Sequence, residues 1–498
     1  MAKKMDSLLW LFLSIYVILS LLLFDPKLFT GGDNAVYIIL GEAIAKGTGF
    51  KNIYLPDDPP HTQYPFGFPL LLSILILIFG TNIIIFKFFI LFMGVLSLYF
   101  FYKISQHLFK DNVRFLMPFF ISIPIFIIYN HWVLSEIPFL CFSLGSLFFL
   151  LKARTNKKIF YYLSFVFGIY SFFIRTAGIS MILALALYLL IKKEYKYLLT
   201  FLILFFIIFV PWEIRNLKLS EGGGYIDQLL AKNPYQMELG RINFFDLISR
   251  IWENFILYSF TILPQTLLPI IKQNILLNIF GLFFTLLTIV GFVKRIKFIS
   301  IFELYLLFSL IVLLGWPKVW SSERFLLPVL PIFILYIFSG LLWLKEKIKL
   351  KNFILVFIIF SVFLNTLEII YQAKTAIRNN ILYLKGDKYA GYSLDWRRYF
   401  EIIEWIKDNI PADKVIMARK PEFVYLLSRH KSFCYPFTTN TQKIEEAIKR
   451  CDYIILDRFQ WTGTTYRYLL PVIQLKPEKY EIINLTRNPE FFLLRVLN

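Results

Sequence analysis

The chain has 498 residues, 58% of them hydrophobic and 17% charged, with 56 Phe and a mean hydropathy of +0.64. A soluble domain is about 45–50% apolar and about 25% charged, so these figures exclude one and point to a polytopic membrane protein. The net charge of +20 does not speak for nucleic acid, and no such partner is expected: the basic residues form short clusters between apolar runs, as cytoplasmic loops do.

Met1 to Asp6 is short and basic, and Leu8 to Phe24 has no small-residue cleavage site after it. It reads as a retained first span with the N-terminus cytoplasmic. The loop 25–65 follows. In it Asp33 directly precedes a periodic helical stretch through Tyr37 to Ala45, and then come Gly47-Thr48-Gly49, His61 and Tyr64-Pro65. Asp33 suits two roles: a helix N-cap accepting backbone N–H groups, or an acid–base group held at the membrane face.

Ten further runs are predicted to cross, at 83–102, 115–130, 137–151, 159–174, 177–191, 197–212, 274–293, 299–315, 325–343 and 353–370. A span needs about 17–25 residues, so the shorter runs extend into their flanks. The run 66–80 is ambiguous, and parity decides it. If it crossed, the clusters at 103–114, 152–158, 192–196, 294–297 and 345–351, which together hold 17 Lys or Arg and 3 acids, would face outside. That reverses the K/R bias. An interfacial or re-entrant helix over 66–80 returns them all to the cytoplasm. It leaves the loop 25–65, the loop 213–273 and the tail on the exported side.

Four charged positions stand at membrane depth beside that side. Glu136, in Asn130-His131-Trp132-Val133-Leu134-Ser135-Glu136-Ile137-Pro138, is costly there unless paired, and is a functional candidate or a helix-start acid. Arg175 ends a span, and Arg324, after Glu323, begins one. Their guanidinium forks suit a phosphate or diphosphate; the alternatives are snorkelling or, for Arg324, pairing with Glu323. His61 and His131 read more simply as hydrogen-bonded interfacial residues. Asp33 and Glu136 would hold a divalent cation if any residues do, although their spacing carries no ligand signature.

The loop 213–273 contains Gly222-Gly223-Gly224, a hinge, and an aromatic-rich amphipathic stretch from Phe244 to Leu263 that is expected on the outer membrane surface, as anchor or flap. From 372 the charges become dense, 21 basic against 14 acidic. The alternation predicts helices at 398–409, 422–428 and 441–450, strands at 415–419, 432–437 and 452–457, and a closing hairpin of 481–485 with 491–497. The domains are therefore 1–371, membrane-embedded, with 25–82 as the first exported loop region, and 372–498, an exported α/β domain large enough for its own core. Cys141, Cys434 and Cys451 build no disulfide framework, and whether Cys434 and Cys451 pair stays open. Asn484-Leu485-Thr486 fits the glycosylation acceptor pattern by a common chance match. No transporter-like internal repeat is evident.

The Asp33-x-x-x-Tyr37 helix, the Gly47-x-Gly49 turn and Tyr64-Pro65-x-Gly67-Phe68-Pro69-Leu70-Leu71 resemble the opening module of polytopic C-type glycosyltransferases (GT-C). Within them the likeness is to the protein O-mannosyltransferase and lipid A aminoarabinose transferase branch. Ser135-Glu136-Ile137-Pro138-Phe139, Arg175-Thr176-Ala177-Gly178 and Glu323-Arg324-Phe325-Leu326-Leu327-Pro328 are similar to later signatures of that family. The likeness is specific over about 30–180, weaker to 340, and architectural for the tail.

The resemblance implies the GT-C fold, about eleven transmembrane helices with juxtamembrane helices and a small exported C-terminal α/β domain, in a multi-pass cell-membrane protein. It implies inverting transfer of a sugar from a polyprenyl-phosphate donor to a lipid, glycan or protein acceptor. Asp33 matches the base, and Glu136 the acid that orients it or assists a cation. Arg175 or Arg324 would steady the departing phosphate. Tyr37, Tyr64, His131, Arg175, Glu323 and Arg324 are then the candidate substrate-binding residues. The aminoarabinose branch has Lys-Pro where this chain has Tyr64-Pro65, which removes a phosphate contact and speaks against lipid A. A transporter or flippase for a lipid-linked saccharide is the alternative, and a noncatalytic scaffold a third.

Overall fold

The computed structural model describes residues 2–155, 157–219, 225–296, 299–349 and 352–497; the Gly222-Gly223-Gly224 hinge lies outside them. The chain is mostly helical. Helices α1 (Ala2–Leu22), α2 (Asn34–Ala45), α3 (Gly67–Phe79), α4 (Ile83–Phe109), α5 (Val113–Ser122), α6 (Pro124–Ile128), α7 (Glu136–Thr155), α8 (Ile159–Ile174), α9 (Ile179–Ile191) and α10 (Tyr195–Leu219) form its first half. α11 (Tyr225–Leu230), α12 (Phe244–Leu257), α13 (Leu263–Leu267), α14 (Ile275–Ile296), α15 (Ile301–Gly315), α16 (Glu323–Leu326), α17 (Leu330–Ile348) and α18 (Phe353–Leu384) follow.

Among the described residues five helical stretches are long and apolar enough to cross a membrane by length and composition: Ile83–Ser122, Glu136–Arg154, Tyr195–Leu219, Ile275–Ile296 and Phe353–Leu384. The first would be about 60 Å long if straight, twice a hydrocarbon core of about 30 Å. It folds back instead at Lys110, whose φ is +51°. Helices α14 and α17 cross backbone to backbone: a Cβ on Gly291 would meet the Tyr336 carbonyl oxygen at 2.0 Å, and one on Gly340 the Leu287 oxygen at 2.3 Å. Without a hydrophobic drive between helices in lipid, such small-residue contacts supply the packing. Ser146 and Ser164 add reciprocal hydroxyl-to-carbonyl bonds of 2.9 Å between α7 and α8.

The position of α3 follows from what flanks it. Lys87, early in α4, donates from Nζ to the carbonyl of Asp25 at 2.6 Å and to that of Lys27, just past the end of α1. The end of α1 and the start of α4 therefore share one end of the bundle, called upper here. At 13 residues α3 is about 20 Å long; it packs on α2 at that same end with Ile74, Leu77, Ile78 and Phe79 exposed. Also at the upper end, α10 sends Arg215 to the carbonyls of His61 (2.9 Å) and Phe50 (3.0 Å), and α18 sends Asn380 to that of Phe24 (2.7 Å). Helix α12 exposes Phe244, Phe245 and Trp252 while burying Arg250 and Asn254. Ser249 and Glu253 are exposed on the same helix, so its outer side is amphipathic, as suits the membrane–water boundary.

Helix α18 runs past residue 371, and the α/β fold starts at α19 (Leu394–Asn409). It continues through β1 (Ile416–Met417), α20 (Pro421–Ser428), β2 (Ser432–Phe433), α21 (Thr441–Ile448), β3 (Tyr453–Leu456), α22 (Leu470–Leu475), β4 (Tyr480–Thr486) and β5 (Phe491–Val496). The sheet order is β2-β1-β3-β5-β4. Strand β1 is parallel to β2 and β3, and β5 runs antiparallel to both its neighbours, β3 and β4. This domain rests on the first loop: Arg429 donates twice to Glu42 at 2.9 Å, Lys431 pairs with Asp58, and the Ser432 N–H meets the Tyr54 carbonyl at 2.8 Å. Cys141, Cys434 and Cys451 are all free thiols.

Just after β3, the buried Asp457 accepts from Thr465 Oγ1 at 2.7 Å and from the Phe459 N–H at 3.4 Å, and burial pushes its carboxyl up to about 6. The folded protein holds this proton more tightly than the unfolded chain does, so stability tied to it falls as pH rises from about 4 through 6. Asp457→Asn is therefore expected to raise the thermal midpoint of the full chain in detergent at pH 7.5, with the gain vanishing toward pH 4. A midpoint difference independent of pH would refute this origin.

Candidate active site

Asp33 is the residue before α2, yet its carboxylate makes no capping bond; only its carbonyl joins the helix, accepting from the Tyr37 N–H at 3.0 Å. The side chain turns into a cavity of about 640 Å³ at the upper end, with 31% of its surface open there. Its Oδ1 accepts from the Tyr64 hydroxyl at 3.0 Å and its Oδ2 from Arg324 Nη2 at 2.9 Å. Arg324 also donates from Nε to Oε1 of Glu136. That same oxygen takes Arg175 Nη1 at 2.6 Å, and this nitrogen also reaches Ser135 Oγ at 3.0 Å. Ser135 Oγ lies 3.3 Å from the Tyr37 hydroxyl, which closes the network.

Local sequence explains the convergence. Gly32 has φ +63°, and a Cβ there would sit 3.0 Å from Arg324 Nη1, so only glycine lets the loop bring Asp33 against that guanidinium. Pro138 in the first turn of α7 begins the helix where Glu136 is needed. Gly67 lets α3 meet the end of α8, since a Cβ would lie 2.5 Å from the Phe173 carbonyl oxygen; the Tyr170 hydroxyl bonds the Gly67 carbonyl at 2.9 Å. This contact carries Tyr64 and Arg175 to one place.

Electrostatics follow the geometry. Burial by itself would raise the Asp33 carboxyl. The charge and hydrogen bond of Arg324, the more distant Lys420 and the Tyr64 hydroxyl outweigh it and hold the group below the ordinary carboxylate range. Burial and the Asp33 charge push the Tyr64 phenol far up, so it stays a donor. Glu136 is wholly buried, and its Oε2 has no hydrogen-bond partner. A divalent cation does not fit here. Both carboxylates are already held by guanidinium groups, and among the described residues no three of His, Cys, Asp and Glu converge.

The structure thus brings Asp33, Tyr37, Tyr64, Glu136, Arg175 and Arg324 together and leaves two candidates apart. His131 lines a separate cavity of about 330 Å³ with Lys27 and Lys87, its Nδ1 unpartnered. Glu323 is exposed and does not line the main cavity; Arg324 pairs with Glu136 and Asp33 rather than with it. His61 uses both ring nitrogens, toward Asn52 Oδ1 at 2.7 Å and the Tyr64 N–H at 2.8 Å, and burial drops it to about 3, so it is a neutral strut for Tyr64.

Sequence reasoning missed the far walls of the cavity. Gln228 and Tyr235 come from the loop after α10, and Trp396, Lys420 and Trp461 from the C-terminal domain. One signal was available for Lys420 and Trp461: both follow strands of an alternating β/α pattern, where α/β sheets collect ligands.

Residues 63–214 match the family model of dolichyl-phosphate-mannose-protein mannosyltransferases. Two crystal structures share the fold. One is ArnT from Cupriavidus metallidurans bound to undecaprenyl phosphate, 11% identical, with a TM-score of 0.59 over 98% of each chain. The other is the oligosaccharyltransferase of Archaeoglobus fulgidus in the apo form, 13% identical, with a TM-score of 0.59 over 98% of this chain and 74% of that one. No curated protein matches the chain in sequence. The resemblance to GT-C glycosyltransferases read from the sequence is borne out by the family match and the shared fold.

Proposed function

From a GT-C fold and a mannosyltransferase-family segment as premises, we propose that the chain is a membrane glycosyltransferase. It moves a sugar from a polyprenyl-phosphate donor to an acceptor hydroxyl on the exported face, with inversion. The observation that carries this is Asp33, open to a cavity at the upper end and joined through one guanidinium to a second acid and a second arginine.

In this reading the acceptor hydroxyl approaches C1 of the sugar from the face opposite the phosphate and gives its proton to Asp33. The C1–O bond to phosphate breaks as the new C–O bond forms, and polyprenyl phosphate departs. The charge that builds on the departing oxygen faces Arg175 and Arg324, fixed in advance by Glu136. A donor phosphate beside Arg324 competes with Asp33 for the guanidinium and so makes the carboxylate a stronger base once the donor is bound. Undecaprenyl phosphate in the ArnT structure supports a polyprenyl carrier.

The membrane arrangement belongs to the same proposal. We read α1, α4, α5 with α6, α7, α8, α9, α10, α14, α15, α17 and α18 as eleven crossings and α3 as half-inserted, with the N-terminus cytoplasmic. The upper end and the C-terminal α/β domain are then exported, and the membrane domain is 1–371 in approximate bounds. The test is turnover by the full chain in detergent with a panel of polyprenyl-phosphate sugars and a cell-envelope extract. Release of polyprenyl phosphate with labelled acceptor is expected. Donor binding without turnover on any acceptor would overturn the reading in favour of lipid-linked sugar transport.

A further inference from the structure

Three consecutive strands of the C-terminal domain, β2, β1 and β3, are parallel, and their carboxyl ends lie side by side. Lys420 follows β1, Tyr435 follows β2, and Asp457 and Trp461 follow β3. That edge is where open α/β sheets bind ligands, and here it forms one wall of the Asp33 cavity through Lys420 and Trp461, beside Trp396 of α19.

The loop carrying Trp461 is built rather than loose. The Tyr435 hydroxyl bonds Thr464 Oγ1 at 3.0 Å and Thr465 Oγ1 at 2.7 Å, and Thr465 bonds Asp457. Arg419, itself nine-tenths buried, bonds Thr464 Oγ1 at 2.9 Å and lies between two rings, 4.8 Å from the centre of Phe437 and 4.9 Å from that of Trp461. Trp461 nevertheless keeps 47% of its surface exposed. Lys420 Nζ stands 5.8 Å from the same ring and bonds Glu422 at 3.0 Å, with two further protons to offer. A rigid indole face beside an ammonium is the surface on which the C–H groups of a pyranose rest while its hydroxyls find a donor. A peptide would call instead for backbone partners or an exposed strand edge, and β1, flanked by β2 and β3, offers none.

We propose that Trp461 and Lys420 form an acceptor subsite for a saccharide, so that the acceptor is a glycan or the sugar headgroup of a glycolipid rather than a peptide. The inference rests on the transferase reading: the donor phosphate occupies the arginines of the bundle, leaving this outer wall to the group that brings the hydroxyl. The test is saturation-transfer NMR on the full chain in nanodiscs. The probes are oligosaccharides ending in mannose, N-acetylglucosamine or glucuronic acid, and a Ser/Thr-rich peptide. Expected is contact with at least one oligosaccharide, reduced at least five-fold in Trp461→Ala and Lys420→Gln and restored in Trp461→Phe, with none for the peptide. No oligosaccharide contact, contact unchanged in both truncating variants, or peptide contact that depends on Trp461 would overturn it. Because the readout is binding, absence of turnover in the wild type would sink the transferase reading without deciding the subsite. The free oligosaccharides and the same sugars on glycolipids, compared in nanodiscs, separate the two acceptor sources.

Discussion

Asp33→Asn is expected to lower sugar transfer by about 10²–10⁴-fold, the usual range for a positioned acid–base group, while leaving polyprenyl-phosphate binding in place. Asparagine retains an acceptor for Tyr64 but loses the charge, the basic site and the acceptor for Arg324, while Glu136 still holds that guanidinium. The pH profile adds an independent readout. Arg324 and its neighbours hold the Asp33 carboxyl below the ordinary carboxylate range against burial, so the base form is present above that point and is lost as pH falls through it. Wild-type kcat/KM, which reports the donor-free enzyme, should accordingly hold down to mildly acid pH, and the residual rate of the variant should lack the acidic limb. Equal turnover in the two proteins would remove Asp33 from the chemistry.

Glu136→Gln should damage both stability and activity. Glu136 is fully buried, and one oxygen holds both Arg175 and Arg324. Removing one member of a buried charge network typically costs about 3–5 kcal/mol, because the remaining charges stay uncompensated. The two guanidinium groups would also lose the anchor that aims them at the cavity. A thermal midpoint well below wild type, together with transfer lowered at least as much as the folded fraction, is the expected result in detergent. An undiminished midpoint would mean that solvent or donor phosphate already balances the arginines.

Much of this site was legible in the chain because its parts are costly where they stand. Glu136, Arg175 and Arg324 interrupt apolar runs, and charge at that depth demands a partner; the structure supplies each with the others. Asp33 had two readings, and geometry removes the capping one, since its side chain leaves the helix end to meet Tyr64 and Arg324. The tail was readable from periodicity, with α19, α20, α21 and the closing hairpin near their expected positions, whereas β1 and β2 are only two residues long against the five or six expected. What spacing does not encode is which distant loops share a wall. Nothing local in Lys420 or Trp461 points to Asp33, just as nothing local in His131 says that it faces a different cavity.

The clasp between the first loop and the last domain has a consequence for biosynthesis. Glu42 and Arg429 are 387 residues apart in the chain, so the wall over Asp33 cannot be laid down until that whole intervening stretch has left the ribosome. At about 5–20 residues per second, roughly 20–80 s separate emergence of Asp33 from completion of its pocket. During that interval the nascent protein holds a carboxylate and part of its charge network but no finished chamber. Assembly order thus acts as a timer, withholding a functional centre from every truncated or stalled product.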